Sequence, residues 1–421
     1  MTPYISDKKK PILLLTIAMT FLCGIAIDIY TPSLPSLSIF LHTSASLVKL
    51  SVTIFLFSYG IGYLVIGTLS DYLGRSKILI LCMILFILSC LMQTLAGNIW
   101  FFLVLRLVQG FVIAAPDVLG KAILADVYQD GSLEKIIPYI STSWALGPII
   151  APAMGGYLQH YLGWRGAFFF MAIYGMTLLY FIINALPETN SVSRHKKTKL
   201  SIGHIYLNYR KIFFSGIFMG SALCRLCGYS IVILFSIVGP FFMQNILHYT
   251  PIKYGHIAFI IGLFAFLGTL GNQLLLSVFS SIFVVLLGSC AMLFFSIALL
   301  AISFTGHTDM ALYIVAISAI FFARGLVSSN CLSEVLDCFS GLRGAVSSLS
   351  GFVLIFSTAI ITSGASFLQS TSLMPLGVVY CILTIGIVAS YLFLLRPGYL
   401  KYKTSQAANN LYTHDVAKCE L

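Results

Sequence analysis

Apolar residues fall in long blocks along this 421-residue chain, separated by short polar breaks. Twelve blocks stand out, near residues 12–37, 48–69, 77–97, 100–124, 136–158, 165–186, 211–242, 255–277, 281–304, 310–333, 345–368 and 374–395. Each approaches or exceeds the roughly 20 residues that a helix needs to cross a bilayer. The pattern therefore predicts an all-α polytopic membrane protein with twelve transmembrane helices. The break from Pro187 to Lys211 is longer and basic. It divides the chain into a six-helix bundle over 1–186, a cytoplasmic linker over 187–210, a second six-helix bundle over 211–396 and a cytoplasmic tail over 397–421. Gly67-Thr68-Leu69 in the second span recurs as Gly268-Thr269-Leu270 in the eighth, and Arg106 in the fourth has a counterpart in Arg324 of the tenth. Such echoes point to duplication, and duplicated transporter folds hold their substrate between the halves near mid-membrane.

Hydrophobic residues make up 59% of the chain and charged ones 9%, with mean hydropathy +0.99, which excludes a soluble domain and a disordered one. The net charge of +11 does not advertise nucleic acid, because the basic residues follow the membrane. With the amino terminus inside, seventeen Lys and Arg fall on the cytoplasmic side, among them Lys8, Arg75, Lys135, Arg194, Arg210, Arg343 and Arg396. Only Lys49, Arg165 and Lys253 fall outside. That asymmetry predicts that both termini are cytoplasmic, in a bacterial-type inner membrane. The first block runs on into a full span without a small-residue cleavage site, so no cleavable signal is expected. Ten cysteines are scattered through apolar stretches and read as reduced packing residues. Cys224-x-x-Cys227 has no nearby His or further Cys, so no metal or other cofactor is expected.

The few ionisable residues inside the spans carry most of the information. Asp28 follows a stretch, Pro11 to Ile27, that has no ionisable side chain but Cys23, and it precedes Pro32 and Pro35. An acid at mid-membrane costs about 2.5–3.5 kcal/mol on insertion scales, which makes Asp28 a functional candidate. A capping or packing Asp near the outer helix end is the plainer alternative. Arg106 lies six residues beyond Trp100 and keeps its charge, so it needs a carboxylate, backbone oxygens or water. Asp117 and Lys121 are four apart and can neutralise each other. Asp117 also lies about three turns beyond Arg106 on nearly the same face, which makes it a second candidate for carrying a proton.

Gly67-Thr68-Leu69-Ser70-Asp71-Tyr72-Leu73-Gly74-Arg75-Ser76-Lys77 bridges spans two and three. Gly67 permits close helix approach, Gly74 a tight reversal, and Asp71 can cap a helix or pair with a cation across a gate. This stretch resembles the loop signature of the major facilitator superfamily, G-x-L-x-D-x-x-G-R. Arg106-Leu107-Val108-Gln109-Gly110 is similar to that family's R-x-x-Q-G motif, in which the arginine is implicated in proton coupling. Span five carries Gly147-Pro148-Ile149-Ile150-Ala151-Pro152-Ala153-Met154-Gly155-Gly156, with prolines that bend the helix and glycines that let it pack closely. It resembles the antiporter signature of the superfamily's drug exporters. Gly163-Trp164-Arg165 and Leu186-Pro187-Glu188-Thr189 resemble their loop markers, and with Asp28-x-Tyr30-x-Pro32-x-x-Pro35 the set is similar to the bicyclomycin-resistance (Bcr/CflA) group of drug and proton antiporters. A small residue is expected at position 117 in that group, so Asp117 departs from it. The loop after span eight has no charge where the first half has Asp71 and Arg75.

The resemblance implies alternating access of two bundles, with Asp28 as principal protonation site, Arg106 tuning it and Asp117 secondary. The sequence has no Gly-rich phosphate loop, so the drive is expected from an ion gradient. A carboxyl in a low-dielectric site gains proton affinity, and cargo beside it can lower that affinity again, which links the two fluxes. Tyr30, Phe57, Tyr59 and Tyr63 are candidate lining residues, each open to a packing role, and Arg225 and Arg324 are candidate cavity cations. Three intramembrane arginines against two acids also admit a second reading, a carrier of a specific anionic or zwitterionic metabolite such as a carboxylate chelator, in the inward direction. The eight histidines are dispersed without a His-Glu-x-x-His motif, which argues against an enzyme. The expected partners are a small solute, protons and lipid, with the chain acting as a monomer.

Overall fold

The computed structural model describes residues 9–128, 133–188, 209–305, 310–339, 342–365, 368 and 372–404. Twelve helices among them are long and apolar enough to cross a membrane. They are α1 Lys9–Phe40, α2 Ala45–Leu73, α3 Arg75–Thr94, α4 Ile99–Val127, α5 Ile136–Leu162 and α6 Arg165–Ala185. The second six are α7 Gly216–Ile246, α8 Pro251–Leu276, α9 Ser281–Phe304, α10 Met310–Cys338, α11 Ala345–Gly364 and α12 Met374–Thr404. Each predicted block has its helix. The main differences are at the ends, where α2 continues to Leu73 and α12 to Thr404. Most of the linker, with Arg194, and the tail beyond Thr404 lie outside the described residues. An even number of crossings returns the chain to the side where it began. That side is called the terminal end below, and the other the far end.

Local chemistry explains the starts and the bend. Ser44, Asn98, Ser215, Thr250 and Ser280 open α2, α4, α7, α8 and α9, each with its side-chain oxygen accepting a backbone N–H three residues on. α1 bends at Thr31–Ser33, because Pro32 has no N–H to offer the carbonyl of Asp28. The Thr31 hydroxyl donates to that carbonyl instead, at 2.8 Å.

Each bundle has its own hydrophobic core, one around Leu22, Leu56, Met83, Ile113 and Phe168, the other around Leu234, Ile261, Met292, Ile317 and Leu376. α7 belongs to both, since it lends Tyr229, Ile233, Ile237 and Phe241 to the first core. The bundles meet along α5 with α8, along α2 with α11, and where the far-end part of α1 meets α7. The motif on α5 supplies two contact edges. Gly147 faces α1, where a Cβ would stand 2.5 Å from the Cα of Gly24, and Gly155 faces α1 at Pro32. Pro152 and Gly156 face α8: a Cβ on Gly255 would lie 2.6 Å from the Pro152 carbonyl oxygen, and one on Gly156 2.6 Å from that of Pro251. Neither site has room for a side chain, so backbone rests on backbone. Pro148 lies between these edges, inside the helix.

Polar contacts close the seam at the far end. Gln244 Nε2 donates to the Pro32 carbonyl at 2.8 Å, and Tyr157 shares a 2.9 Å bond with His256. Lys49, which the charge pattern puts on the outer side, is only 1% exposed, with its Nζ 2.8 Å from the Leu368 carbonyl and above the ring of Phe241.

Candidate functional site

Asp28 ends the straight part of α1, 1% exposed, and neither of its carboxyl oxygens has a hydrogen-bond partner. Its surroundings come largely from the other bundle. Ser236 and Tyr229 of α7 and Tyr254 of α8 fall within its electrostatic reach. The hydroxyls of Tyr229 and Tyr254 are likewise buried without a partner. Trp144 of α5 leans on Tyr229 with ring centroids 5.8 Å apart, and its indole N–H is also unpartnered. A buried polar group without a bond is costly, so a cluster of four such residues on both sides of one seam marks a place built to meet something else.

Arg106 is not beside Asp28. It is fully buried in the first bundle, its guanidinium carbon 3.5 Å from the centre of the Tyr30 ring and 4.9, 5.4 and 5.7 Å from those of Phe168, Phe55 and Phe102. Its Nη1 donates to Gln109 Oε1 at 2.7 Å, which also accepts from Gln93 at 3.1 Å. Among the described residues no acid pairs with it, and the negative ring faces supply the counter-field. Tyr30, expected as cavity lining, is committed to this box, with its hydroxyl 2.9 Å from that of Ser51.

Asp117 forms a separate cluster. Lys121 Nζ stands 2.6 Å from its Oδ1, the Tyr59 hydroxyl donates to Oδ2 at 2.9 Å, and the Tyr63 hydroxyl donates to the same oxygen. Tyr59 is fully buried. Tyr63 faces the seam, where its ring would stand 2.8 Å from a Cβ on Gly351 of α11. Phe57 meets Phe356 of α11 across the same seam, at 4.9 Å between centroids.

Two cations of the second bundle reach the seam. Arg225 Nη1 donates to Ser350 Oγ of α11. Arg324 crosses α7 at Gly228 and carries its guanidinium to 5.9 Å from the centre of the Tyr229 ring.

The latch lies at the terminal end, within the first bundle. Gly74 turns the chain with φ 101°, which a side chain would resist. Glu188, just past α6, accepts from the backbone N–H of Arg75 at 3.0 Å and of Ser76 at 3.2 Å, so a carboxylate caps the positive end of α3. Arg75 Nη1 donates to Asp126 Oδ2 at 2.5 Å and to the Ala122 carbonyl, while Asp71 stands 3.9 Å away. Gly67 lies beside Val118 of α4.

Pattern alone does not single out Trp144, Tyr229, Ser236, Tyr254 or Asp126. An aromatic at helical spacing reads as packing, and only the fold reveals that the hydroxyls of Tyr229 and Tyr254 and the indole N–H of Trp144 go unpartnered. Lys49 carried one signal, its place between Val48 and Leu50 at the edge of an apolar block.

The family model described as Major Facilitator Superfamily matches residues 16–362. A bicyclomycin resistance protein homolog of Haemophilus influenzae is 27% identical over 378 residues, covering 88% of this chain and 92% of that protein. Multidrug resistance protein MdtL of Vibrio parahaemolyticus is 23% identical over 392 residues, covering 91% and 95%. Among solved structures, the crystal structure of a D-xylose-proton symporter is similar with a TM-score of 0.76 at 14% identity, covering 91% of this chain and 96% of that one, a likeness of fold.

Proposed function

We propose that this chain, which belongs to the major facilitator superfamily, exports small solutes in exchange for protons, with Asp28 as the proton-carrying group. As a member of that superfamily it is a multi-pass membrane transporter of small solutes and not an enzyme. The observation that carries the finer reading is the Asp28 carboxyl, buried at the seam of two bundles beside the Ser236 hydroxyl with neither oxygen in a well-formed hydrogen bond. The similarity to a bicyclomycin resistance protein homolog and to a multidrug resistance protein supports export of drugs or related solutes.

The basic residues support a terminal end in the cytoplasm, of a bacterial-type inner membrane. With that orientation, the far-end contacts close the outer side. A buried carboxyl whose oxygens are not hydrogen-bonded is costly to leave charged, so it carries its proton until cargo arrives. Cargo that offers Asp28 a donor makes the charged form tolerable, and the proton leaves to the cytoplasm. Rocking about the α5–α8 and α2–α11 seams exposes the loaded site outside, where cargo leaves and a proton returns. By reciprocity, protonation weakens cargo binding by the factor by which cargo weakens proton binding. The chain acts as a monomer in this scheme, without a cofactor. Arg106 steadies α1 through Tyr30, two residues from Asp28, and so acts on the carboxyl by position.

The test uses everted membrane vesicles acidified inside, with a pH-sensitive dye and a solute panel that includes bicyclomycin. Wild type is expected to let protons out when a transported solute is added, and Asp28→Asn is expected to show no such response. Solutes that dissipate the gradient equally in both would contradict the proposal.

A further inference from the structure

Arg225 and Arg324 stand in the seam with no acid to answer them. Among the described residues neither has a carboxylate within 4.0 Å, and the Nε of each is buried without a hydrogen-bond partner. Each guanidinium also lies within the other's field. Between residues 211 and 404 the acids in the sequence are Asp309, Glu334 and Asp337. Glu334 is ten residues along α10 from Arg324, about 15 Å toward the terminal end, and Asp337 is farther still. Asp309 precedes α10 and lies outside the described residues. In the first bundle Asp117 is taken by Lys121, Tyr59 and Tyr63, and Asp28, which shares Tyr229 with Arg324, forms no ion pair with it. A guanidinium cannot shed its charge, and two of them in a water-poor seam repel each other.

Helix geometry brings the pair together. Arg225 and Gly228 are one turn apart on one face of α7, and Arg324 crosses that face at Gly228, where its Cγ would be 3.5 Å from a Cβ. One guanidinium is then steadied by Ser350 and the other by the ring of Tyr229, while from the first bundle Tyr63 lies within reach of Arg225 and Trp144 packs on Tyr229. Two planar forks within each other's field, each with donors to spare, suit the two oxygens of a carboxylate.

We infer that Arg225 and Arg324 form the anion-binding half of the cargo site, and that the cargo is an apolar or aromatic body bearing one carboxylate or similar monoanionic group. The body packs on Trp144 and Tyr229, and the end toward Asp28 is neutral or a hydrogen-bond donor. This rests on the reading of the seam as the transport path and narrows it, since a purely cationic solute would meet two guanidiniums and one acid.

The experiment measures affinity without any gradient, so it is separate from proton coupling. Purified full-length protein in detergent is titrated calorimetrically with naphthoate, naphthamide and naphthylmethylammonium, three probes of one shape and different charge. Wild type is expected to bind naphthoate at least about tenfold more tightly than the amide, with the ammonium weakest. Arg324→Gln and Arg225→Gln should each bring the ratio of naphthoate to naphthamide affinity down toward one, and Arg324→Lys should retain part of the preference. Equal affinity for the three probes, or preference for the ammonium, overturns the inference on wild type alone, even should a Gln variant fail to fold. A wild type that prefers naphthoate but never exchanges protons would instead overturn the antiport mechanism and leave the anion site standing.

Discussion

The guanidinium of Arg106 stands 3.5 Å from the centre of the Tyr30 ring, so the buried cation of α4 is held by an aromatic residue just beyond Asp28 and not by Asp28 itself. The arginine keeps its charge in a box of rings, and the acid two residues back stays free for other work. Tyr30→Phe keeps the ring and loses the Ser51 bond, with an expected cost of about 1 kcal/mol. Tyr30→Ala removes the ring and is expected to cost about 3–5 kcal/mol, as for other buried aromatics. Thermal unfolding in one detergent compares the two. Equal losses would mean that the ring does not hold the cation.

Asp117 already has Lys121 and two tyrosine hydroxyls, so its charge is settled within the first bundle. Asp117→Asn is expected to reduce ligand-triggered proton release without abolishing it, whereas Lys121→Ala, which leaves the buried carboxylate without its cation, is expected to destabilise the protein more than removal of an exposed surface pair would. Complete loss of release in Asp117→Asn would move the proton site to that cluster.

At the latch, Glu188→Ala removes both acceptors from the start of α3 and is expected to cost about 0.5–2 kcal/mol, the range of a lost helix cap. Glu188→Gln keeps an acceptor and should cost less. Gly74→Ala is expected to cost more than either, because φ 101° is strained for alanine and its Cβ would stand 2.7 Å from Glu188 Oε2. Unfolding measurements should rank Gly74→Ala as the most costly, then Glu188→Ala, then Glu188→Gln; a harmless Gly74→Ala would contradict this.

The seam at the far end must part if the carrier alternates. The hydroxyls of Thr53 on α2 and Thr362 on α11 lie 3.4 Å apart across it. Thr53→Cys with Thr362→Cys, joined by a short reducible thiol cross-linker, is expected to stop transport and to recover when the link is reduced. Full transport by the cross-linked carrier would mean that this end need not open.

The spans were legible because twenty-residue apolar blocks have few alternative uses, and the α5 motif was legible because prolines and paired glycines have few reasons to occur inside a helix. The Asp117–Lys121 pair was equally readable, as four-residue spacing puts both on one face. What could not be read is which helix stands opposite. Tyr30 at Arg106, Tyr59 and Tyr63 at Asp117, Glu188 at Arg75 and Lys49 at Leu368 all join residues far apart in the chain. Arg106 and Asp117 lie about three turns apart on one helix, yet each is claimed by different neighbours. Helical phase tells which side a residue faces and not what meets it there.

The central claim is that Asp28 gives up a proton when cargo binds. The direct measurement is the number of protons released into weakly buffered detergent when a solute identified in the vesicle assay is added to purified protein. Wild type is expected to release up to about one proton per ligand bound, and Asp28→Asn none while still binding. Equal release from the two proteins would contradict the account.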